Sequence, residues 1–336
     1  MKFTLSWLKY HLKTESSLEE LTDKLSMLGL EVETVEDRSK NLQPFKIGCV
    51  TSVSAHPNAD RLKICEVDAG SGVVQVVCGA PNVHKGMKGV FAPAGTFIPG
   101  TKLKLKSTSI RGEESHGMLC SEREMGLSDD HNGVIELPSE APTGDRWAAW
   151  SGLDDPIIEI ALTPNRGDCA SVRGIARDLA ASGLGTLRPL PEIKHHDSFE
   201  SPIKWQRNFT ETENNACPMV AGRFFRNVQN GESPAFIQKR LRAIGLRPIS
   251  LLVDITNWLT FDLGRPLHVF DADKLTGNLT MRLSHDGEQI NALDGQIYNL
   301  PKDIVVIADK TGLQGIGGIM GGMSSSCDEN TKNVFL

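Results

Sequence analysis

The sequence predicts an α+β, multidomain chain in which a small closed β-barrel is inserted in a small α+β unit and followed by a mixed α/β domain. Three observations carry this. Between His56 and Gly126, short apolar runs at 64–67, 73–77, 90–92 and 102–106 are split by Gly and Pro at even spacing, the pattern of a small barrel. Helical leucine spacing with caps, mixed with single strands, flanks that stretch on both sides. The 336 residues suffice for two or three domains, each with its own core.

Composition removes several classes. With 39% hydrophobic and 23% charged residues the chain reads as ordinary globular protein. The opening Met-Lys-Phe-Thr-Leu-Ser-Trp-Leu-Lys is too interrupted by lysine for a signal peptide, and no apolar run nears the roughly 20 residues that span a bilayer. The seven cysteines (49, 65, 78, 120, 169, 217, 327) are scattered without a Cys-x-x-Cys pair, which argues against a zinc site or disulfide framework. A reduced, cytoplasmic protein with no membrane association and no metal site in this chain is expected.

The formal net charge of −6 argues against a general polyanion binder, yet residues 41–115 hold nine Lys/Arg against five Asp/Glu, a local surplus of four. Lys102, Lys104 and Lys106 alternate with Leu103 and Leu105. On a strand this places three ammonium groups on one face, suited to phosphates, or alternatively protecting an edge strand.

In chain order, Ser17-Leu-Glu-Glu20 is a capping-box pattern, and Leu18, Leu21, Leu25 and Leu28 follow at helical spacing with Gly29 as a left-handed stop. Residues 30–35 read as a strand, and so do 157–162. The turn Thr163-Pro-Asn-Arg-Gly-Asp-Cys169 suits Asx bonding and a salt bridge at Asn165, Arg166 and Asp168. Ser171 then caps a helix that carries Ile175 and Leu179 and ends at Gly183 or Gly185. The expected division is 1–38 with 151–195 as one α+β unit, 39–150 as the barrel, 196–211 as a linker and 212–336 as the last domain. His195 and His196 sit on a polar loop with no third ligand nearby, so solvation is favoured over metal.

In the last domain Ser233-Pro234 reads as a cap followed by a first-turn proline, with Ile237, Leu241 and Ile244 as an apolar stripe ended by Gly245. A second helix covers 251–261, and strands cover 279–283, 289–293 and 304–308. The run Gly315-Ile-Gly-Gly-Ile-Met-Gly-Gly322 fails as a dinucleotide fingerprint, because Met320 takes the last glycine position and no helix follows. Its glycines let backbone amides approach a ligand closely or turn tightly between strands.

Three ordered segments in the barrel region, His56-Pro-Asn-Ala-Asp-Arg-Leu62, Val77-Cys-Gly-Ala-Pro-Asn-Val83 and Ile110-Arg-Gly-Glu-Glu-Ser-His-Gly-Met-Leu-Cys-Ser-Glu122, resemble the oligonucleotide-binding (OB-fold) barrel of the tRNA-binding domain family. That likeness implies tRNA contacts at Asn58, Arg61, Lys102, Lys104, Lys106, Arg111, Ser115, Met118 and Ser121. The opening Trp7-Leu8-Lys9, the 163–169 turn, Arg247-Pro, Val253-Asp-Ile-Thr-Asn257, Pro266-Leu-His-Val-Phe-Asp271 and the glycine run resemble, in order, the bacterial phenylalanine–tRNA ligase β-subunit family. With these the likeness covers essentially the whole chain.

The resemblance implies a B3/B4-like editing domain that hydrolyses mischarged tyrosyl-tRNA, with Arg247 and His268 flanking the site and Gly315, Gly318 and Gly321 offering close backbone approach. An apolar pocket rejects an added hydroxyl by only about a hundredfold, so a second hydrolytic site is needed. On the residues alone, a His after Pro-Leu is more often structural. The resemblance further implies a class II ligase using ATP and Mg2+, an α subunit as partner in an α2β2 heterotetramer, and tRNA as substrate. No Ser-His-Asp or Cys-His order points to covalent catalysis.

The ending Asn333-Val-Phe-Leu336 falls inside an apolar strand. An N-terminal fragment, with its editing domain truncated, binding neither ATP nor Mg2+ and inactive alone in aminoacylation, is therefore expected. Two rivals share parts of the pattern. A non-enzymatic tRNA-binding chaperone would lack counterparts of 157–185 and 247–322, and a free-standing aminoacyl-tRNA deacylase would need no barrel.

Overall fold

The computed structural model describes residues 1–37, 39–193 and 199–336, so His195 and His196 lie outside it. The chain divides into two compact units, Met1–Glu33 with Glu159–Leu336, and Thr34–Ile158. The fold is α+β.

In the first unit the short helix Leu5–His11 starts at Thr4, whose hydroxyl accepts the Trp7 amide. The helix Leu18–Met27 starts at the Ser17–Glu20 capping box and buries Leu21 and Leu25. Gly29 follows at φ 79°, the left-handed stop that a side chain would strain. Ser171 caps the helix Val172–Ala181 by accepting the Gly174 amide, and that helix buries Ile175 and Leu179 as its period requires. The strands Lys2–Thr4, Ile157–Ile160 and Val32–Glu36 form one sheet with Ile157–Ile160 in the middle, the latter two being the strands within which the chain passes from one unit to the other.

A second sheet runs Trp205–Asn208, Leu279–Leu283, Val305–Ala308, Leu313–Ile316 and Met320–Gly321 in spatial order. The first pair is parallel and the others antiparallel. Residues 196–211, expected as a linker, thus contain an edge strand. Its sequence, Trp-Gln-Arg-Asn, has a single apolar residue, so nothing in the pattern announces a strand that is held mainly by backbone pairing.

Ser233 also departs from expectation. The helix Ala235–Ala243 has no side-chain cap, because the Ser233 hydroxyl donates instead to buried Asp254 at 2.5 Å. Asp254 accepts the Ile249 amide as well, at 2.8 Å, which secures the start of the helix Leu251–Leu263.

The second unit is a nearly closed barrel. Five antiparallel strands lie in the order Gly117–Leu119, Lys88–Pro93, Lys46–Ala55, Lys63–Asp68 and Val73–Cys78. The outer two approach each other, with the His116 amide donating to Gln75 O (2.9 Å) and the Val77 amide to Ser115 Oγ (3.1 Å). Strand Lys88–Pro93 is buried on both faces. Phe91 packs with Val50, Val67, Val76 and Leu119, whereas Val90 and Ala92 face Phe45, Ile47 and Trp147. Double burial is why residues 90–92 read as a continuous apolar run.

The expected lysine strand is replaced by a tight hairpin, Phe97–Ile98 against Leu103–Lys104. Lys102 sits in its turn at φ 57° and Lys106 lies beyond the ladder. A two-residue ladder cannot carry the alternation to 106, and Leu103 is exposed with the three lysines.

Asp262, on the helix Leu251–Leu263, is buried in the first unit and accepts from Trp7 Nε1 at 2.6 Å, with His11 Nε2 at 2.7 Å from the same oxygen. Asp262→Ala leaves two buried groups without this partner and is expected to cost about 3 kcal/mol. Urea unfolding followed by circular dichroism measures this, and Asp262→Asn, which keeps one acceptor oxygen, is expected to cost less.

Candidate functional site

The first motif of the barrel is an anchor for the third. The His56 Nδ1 accepts the Asn58 amide (3.0 Å) while its Nε2 faces Ile110 O (3.0 Å), a pattern that fits the Nε2-protonated tautomer. Asn58 Nδ2 donates to Arg111 O at 3.0 Å. Together they hold the turn between Thr108–Ile110 and Glu113–Ser115, where Arg111 adopts φ 50°. The fixed turn leaves the Arg111 side chain in solvent, and Arg61 is exposed too.

Ser115 and Ser121 are buried and bonded internally. Ser115 accepts from Val77 and donates to Gly117 O, while Ser121 caps the helix Glu122–Met125 in a box with Glu124. Met118 is half-buried and, with Ser121, Pro81 and Arg123, lines a groove of about 450 Å³. Of the nine residues expected at the tRNA face, Asn58, Arg61, Lys102, Lys104, Lys106 and Arg111 are exposed.

In the first unit, His268, Gly315, Gly318 and Gly321 line one cavity of about 260 Å³, together with Pro266 and Ile307. That volume lies just below the range of about 300–1,000 Å³ typical of small-ligand pockets and suits a group the size of one side chain better than a nucleotide. The glycine run forms the hairpin Leu313–Ile316 to Met320–Gly321, with Gly318 in its turn at φ 71°. A Cβ on Gly321 would lie 2.2 Å from His268 Cε1, so only glycine admits the imidazole there. The ring packs edge-on to Phe270, centroids 4.4 Å apart.

Among the described residues neither His268 nitrogen has a hydrogen-bond partner, and burial lowers its pKa from the usual 6.5. The ring is therefore neutral near pH 7, with a lone pair free for a water. Arg247 is not brought to this pocket. It is exposed in the segment between the helices Ala235–Ala243 and Leu251–Leu263 and is absent from the lining. The motifs imply that it flanks the site with His268; the cavity wall itself is formed without it. Sequence reading missed the apolar walls Pro266, Ile307 and Met320; the proline two residues before His268 was the available signal.

Comparison with known proteins adds the family. Residues 45–146 match the tRNA binding domain family and residues 216–336 match the B3/4 domain family. Curated phenylalanine–tRNA ligase β subunits match along the entire chain. That of Mesorhizobium japonicum is 56% identical over 338 residues, that of Bradyrhizobium diazoefficiens 54% over 339 and that of Nitrobacter winogradskyi 53% over 344.

The chain belongs to the phenylalanine–tRNA ligase β-subunit family.

It spans 42% of the length of those curated relatives. Within the family frame, the turn at 163–169 has a structural explanation. Arg166 pairs with Asp168 and Asp178, and Arg177 with the same two carboxylates. Asp168, Cys169 and Asp178 lie close enough to hold a metal. Both carboxylates are already neutralised by guanidinium groups, with Arg166 and then Arg177 holding Asp168 well below the usual carboxylate range. Burial pushes the Cys169 thiol up to about 12, so without a metal it stays protonated near neutral pH. This is a salt-bridged junction. All seven cysteines are free, and among the described residues no helix is long and apolar enough to cross a membrane.

The depressed His268 pKa has a testable sign. The folded chain binds fewer protons at this ring than the unfolded chain once the pH falls below about 6.5. Its contribution is absent above that value, and stability is lost progressively as pH drops toward the folded value. His268→Gln is expected to remove this loss. The difference in unfolding free energy between parent and variant, measured from about pH 7.5 to pH 5, is expected to shift in favour of the variant on the acid side.

Proposed function

We propose that this chain acts within phenylalanine–tRNA ligase as part of its β subunit, binding tRNA through the barrel and hydrolysing mischarged tyrosyl-tRNA in the His268 pocket. The observation that carries the editing role is the cavity in which His268 lies directly against the backbone of Gly321. A neutral imidazole, half-buried among apolar walls, can orient a water by its free nitrogen. The water adds to the ester carbonyl, the bond to the ribose oxygen breaks and the proton passes to that oxygen. The amides of Gly317, Ile319 and Gly322 already donate to backbone carbonyls, so the Gly318 amide, at the hairpin turn on the cavity wall, is the proposed donor for the tetrahedral oxyanion. Arg247 has no part in this step and is left as a surface cation.

On the barrel, Arg61, Lys102, Lys104, Lys106 and Arg111 are the proposed phosphate contacts. Asn58 positions Arg111, while Ser115, Met118 and Ser121 support the surface from below. In the whole enzyme the class II ligation of phenylalanine to tRNA, with its ATP and Mg2+, is assigned to residues outside this chain. The α subunit is the proposed partner in an α2β2 assembly, working in the cytoplasm.

Two measurements test this. Lys102, Lys104 and Lys106 changed together to Ala are expected to flatten the plot of log tRNA affinity against log salt by about 2 to 3; an unaltered slope assigns the lysines to edge protection. In the assembled ligase, His268→Ala is expected to slow tyrosyl-tRNA deacylation by about 10²-fold or more while phenylalanine charging persists. Parental deacylation in a folded variant would make His268 structural.

A further inference from the structure

The hairpin Phe97–Ile98/Leu103–Lys104 exposes an aromatic ring that the barrel core does not need. Ile98 is buried at 2% exposure, and strand alternation turns its neighbour Phe97 outward, where the side chain is 47% exposed. Phe97 stands directly opposite Lys104 in the ladder, so ring and ammonium stem share one face. Among the described residues Lys102, Lys104 and Lys106 have no ion-pair or hydrogen-bonding partner for their ammonium groups. The hairpin is firmly tied. The Gly95 and Leu105 amides donate to Leu105 O and Thr96 O, each at 2.7 Å, and the Gly100 amide donates to Glu124 O of the adjoining short helix at 2.8 Å.

Edge protection explains lysines but not this ring. A two-residue edge needs little guarding, and an exposed phenylalanine with Leu103 66% exposed beside it works against solubility. A flat apolar face flanked by unpaired cations is instead the chemistry that single-stranded nucleic acid meets, with a base on the ring and its phosphates on the ammonium groups. The hairpin lies in the connection between the fourth and fifth barrel strands, which borders the oligonucleotide face in barrels of this kind.

We propose that Phe97 is a stacking platform for one unpaired base of the bound RNA, with Lys104 contacting the adjoining phosphate. This rests on the tRNA-binding reading above and adds to it a preference for unpaired over duplex RNA at this hairpin. Phe97→Ala is expected to weaken tRNA and oligouridine binding by about tenfold while leaving the salt slope unchanged, because no charge is lost. Lys104→Ala is expected to lower the slope by about 0.7 to 0.9. In Phe97→Trp, which keeps a stacking face, affinity is expected to persist, and the added indole fluorescence is expected to be quenched by oligouridine but not by duplex RNA of equal length.

If the parental chain binds tRNA and Phe97→Ala binds it equally well, or if duplex quenches the indole as strongly as single strand, the stacking assignment is wrong and the tRNA-binding reading survives. If the parental chain binds neither tRNA nor oligouridine, both fall. Circular dichroism of Phe97→Ala checks that an exposed substitution has left the barrel folded.

Discussion

One buried oxygen holds distant parts of the first unit together. Asp262 Oδ1 takes the Trp7 indole N–H and meets the His11 ring, joining residues more than 250 positions apart. Both aromatic groups come from the helix Leu5–His11, and the acceptor comes from the end of the helix Leu251–Leu263. A contact so remote in sequence requires that the whole intervening chain be accommodated, including the barrel, which is inserted as a separate compact unit. It also explains why the helix Leu251–Leu263, rich in apolar residues, can bury Asp262; the same helix buries Asp254 and Thr256 as well. Both carboxyls organise neighbours. Asp254 receives Ser233 and the Ile249 amide, so the same helix is tied at both ends by polar bonds inside the fold.

The functional geometry depends on backbone more than on reactive side chains. At the pocket, a missing Cβ at Gly321 is what lets His268 stand against the strand, and the left-handed Gly318 closes the hairpin that brings Gly315 and Gly321 to one wall. On the barrel, His56 and Asn58 bond to the carbonyls of Ile110 and Arg111 and thereby fix a turn whose cation is exposed. Both places use a side chain to hold a loop or a loop to admit a side chain. In each, substitution of the supporting residue would alter the site without touching a ligand.

Local features were readable in the residues because they depend on neighbours in sequence. The Ser17 box, the Ser171 cap, the strand Leu279–Leu283 and the apolar run at 90–92 all follow from short-range chemistry or period. The glycine run was readable as a tight turn between strands, which Gly318 makes, while the close contact at Gly321 is with His268 of the same chain. Departures came where tertiary pairing decided. Trp205–Asn208 is a strand because Leu279–Leu283 offers it an edge, and Ser233 leaves its own helix because Asp254 lies within reach. Lys102–Lys106 fitted a strand by alternation, but Lys102 turns the chain at φ 57°. Arg247 matches its motif in order but is exposed and does not line the cavity. The partnership of Phe97 with Lys104 had no sequence signal, since it arises only from the register of the hairpin.

The central functional claim is that the exposed hairpins of the barrel receive tRNA. Hydrogen–deuterium exchange of the chain with and without deacylated tRNA tests it most directly, since it reports every backbone segment at once. Slowed exchange is predicted at residues 96–112, covering both hairpin turns, with the outer sheet strand Trp205–Asn208 unchanged. Protection confined to other segments, with 96–112 exchanging alike in both samples, would contradict the account.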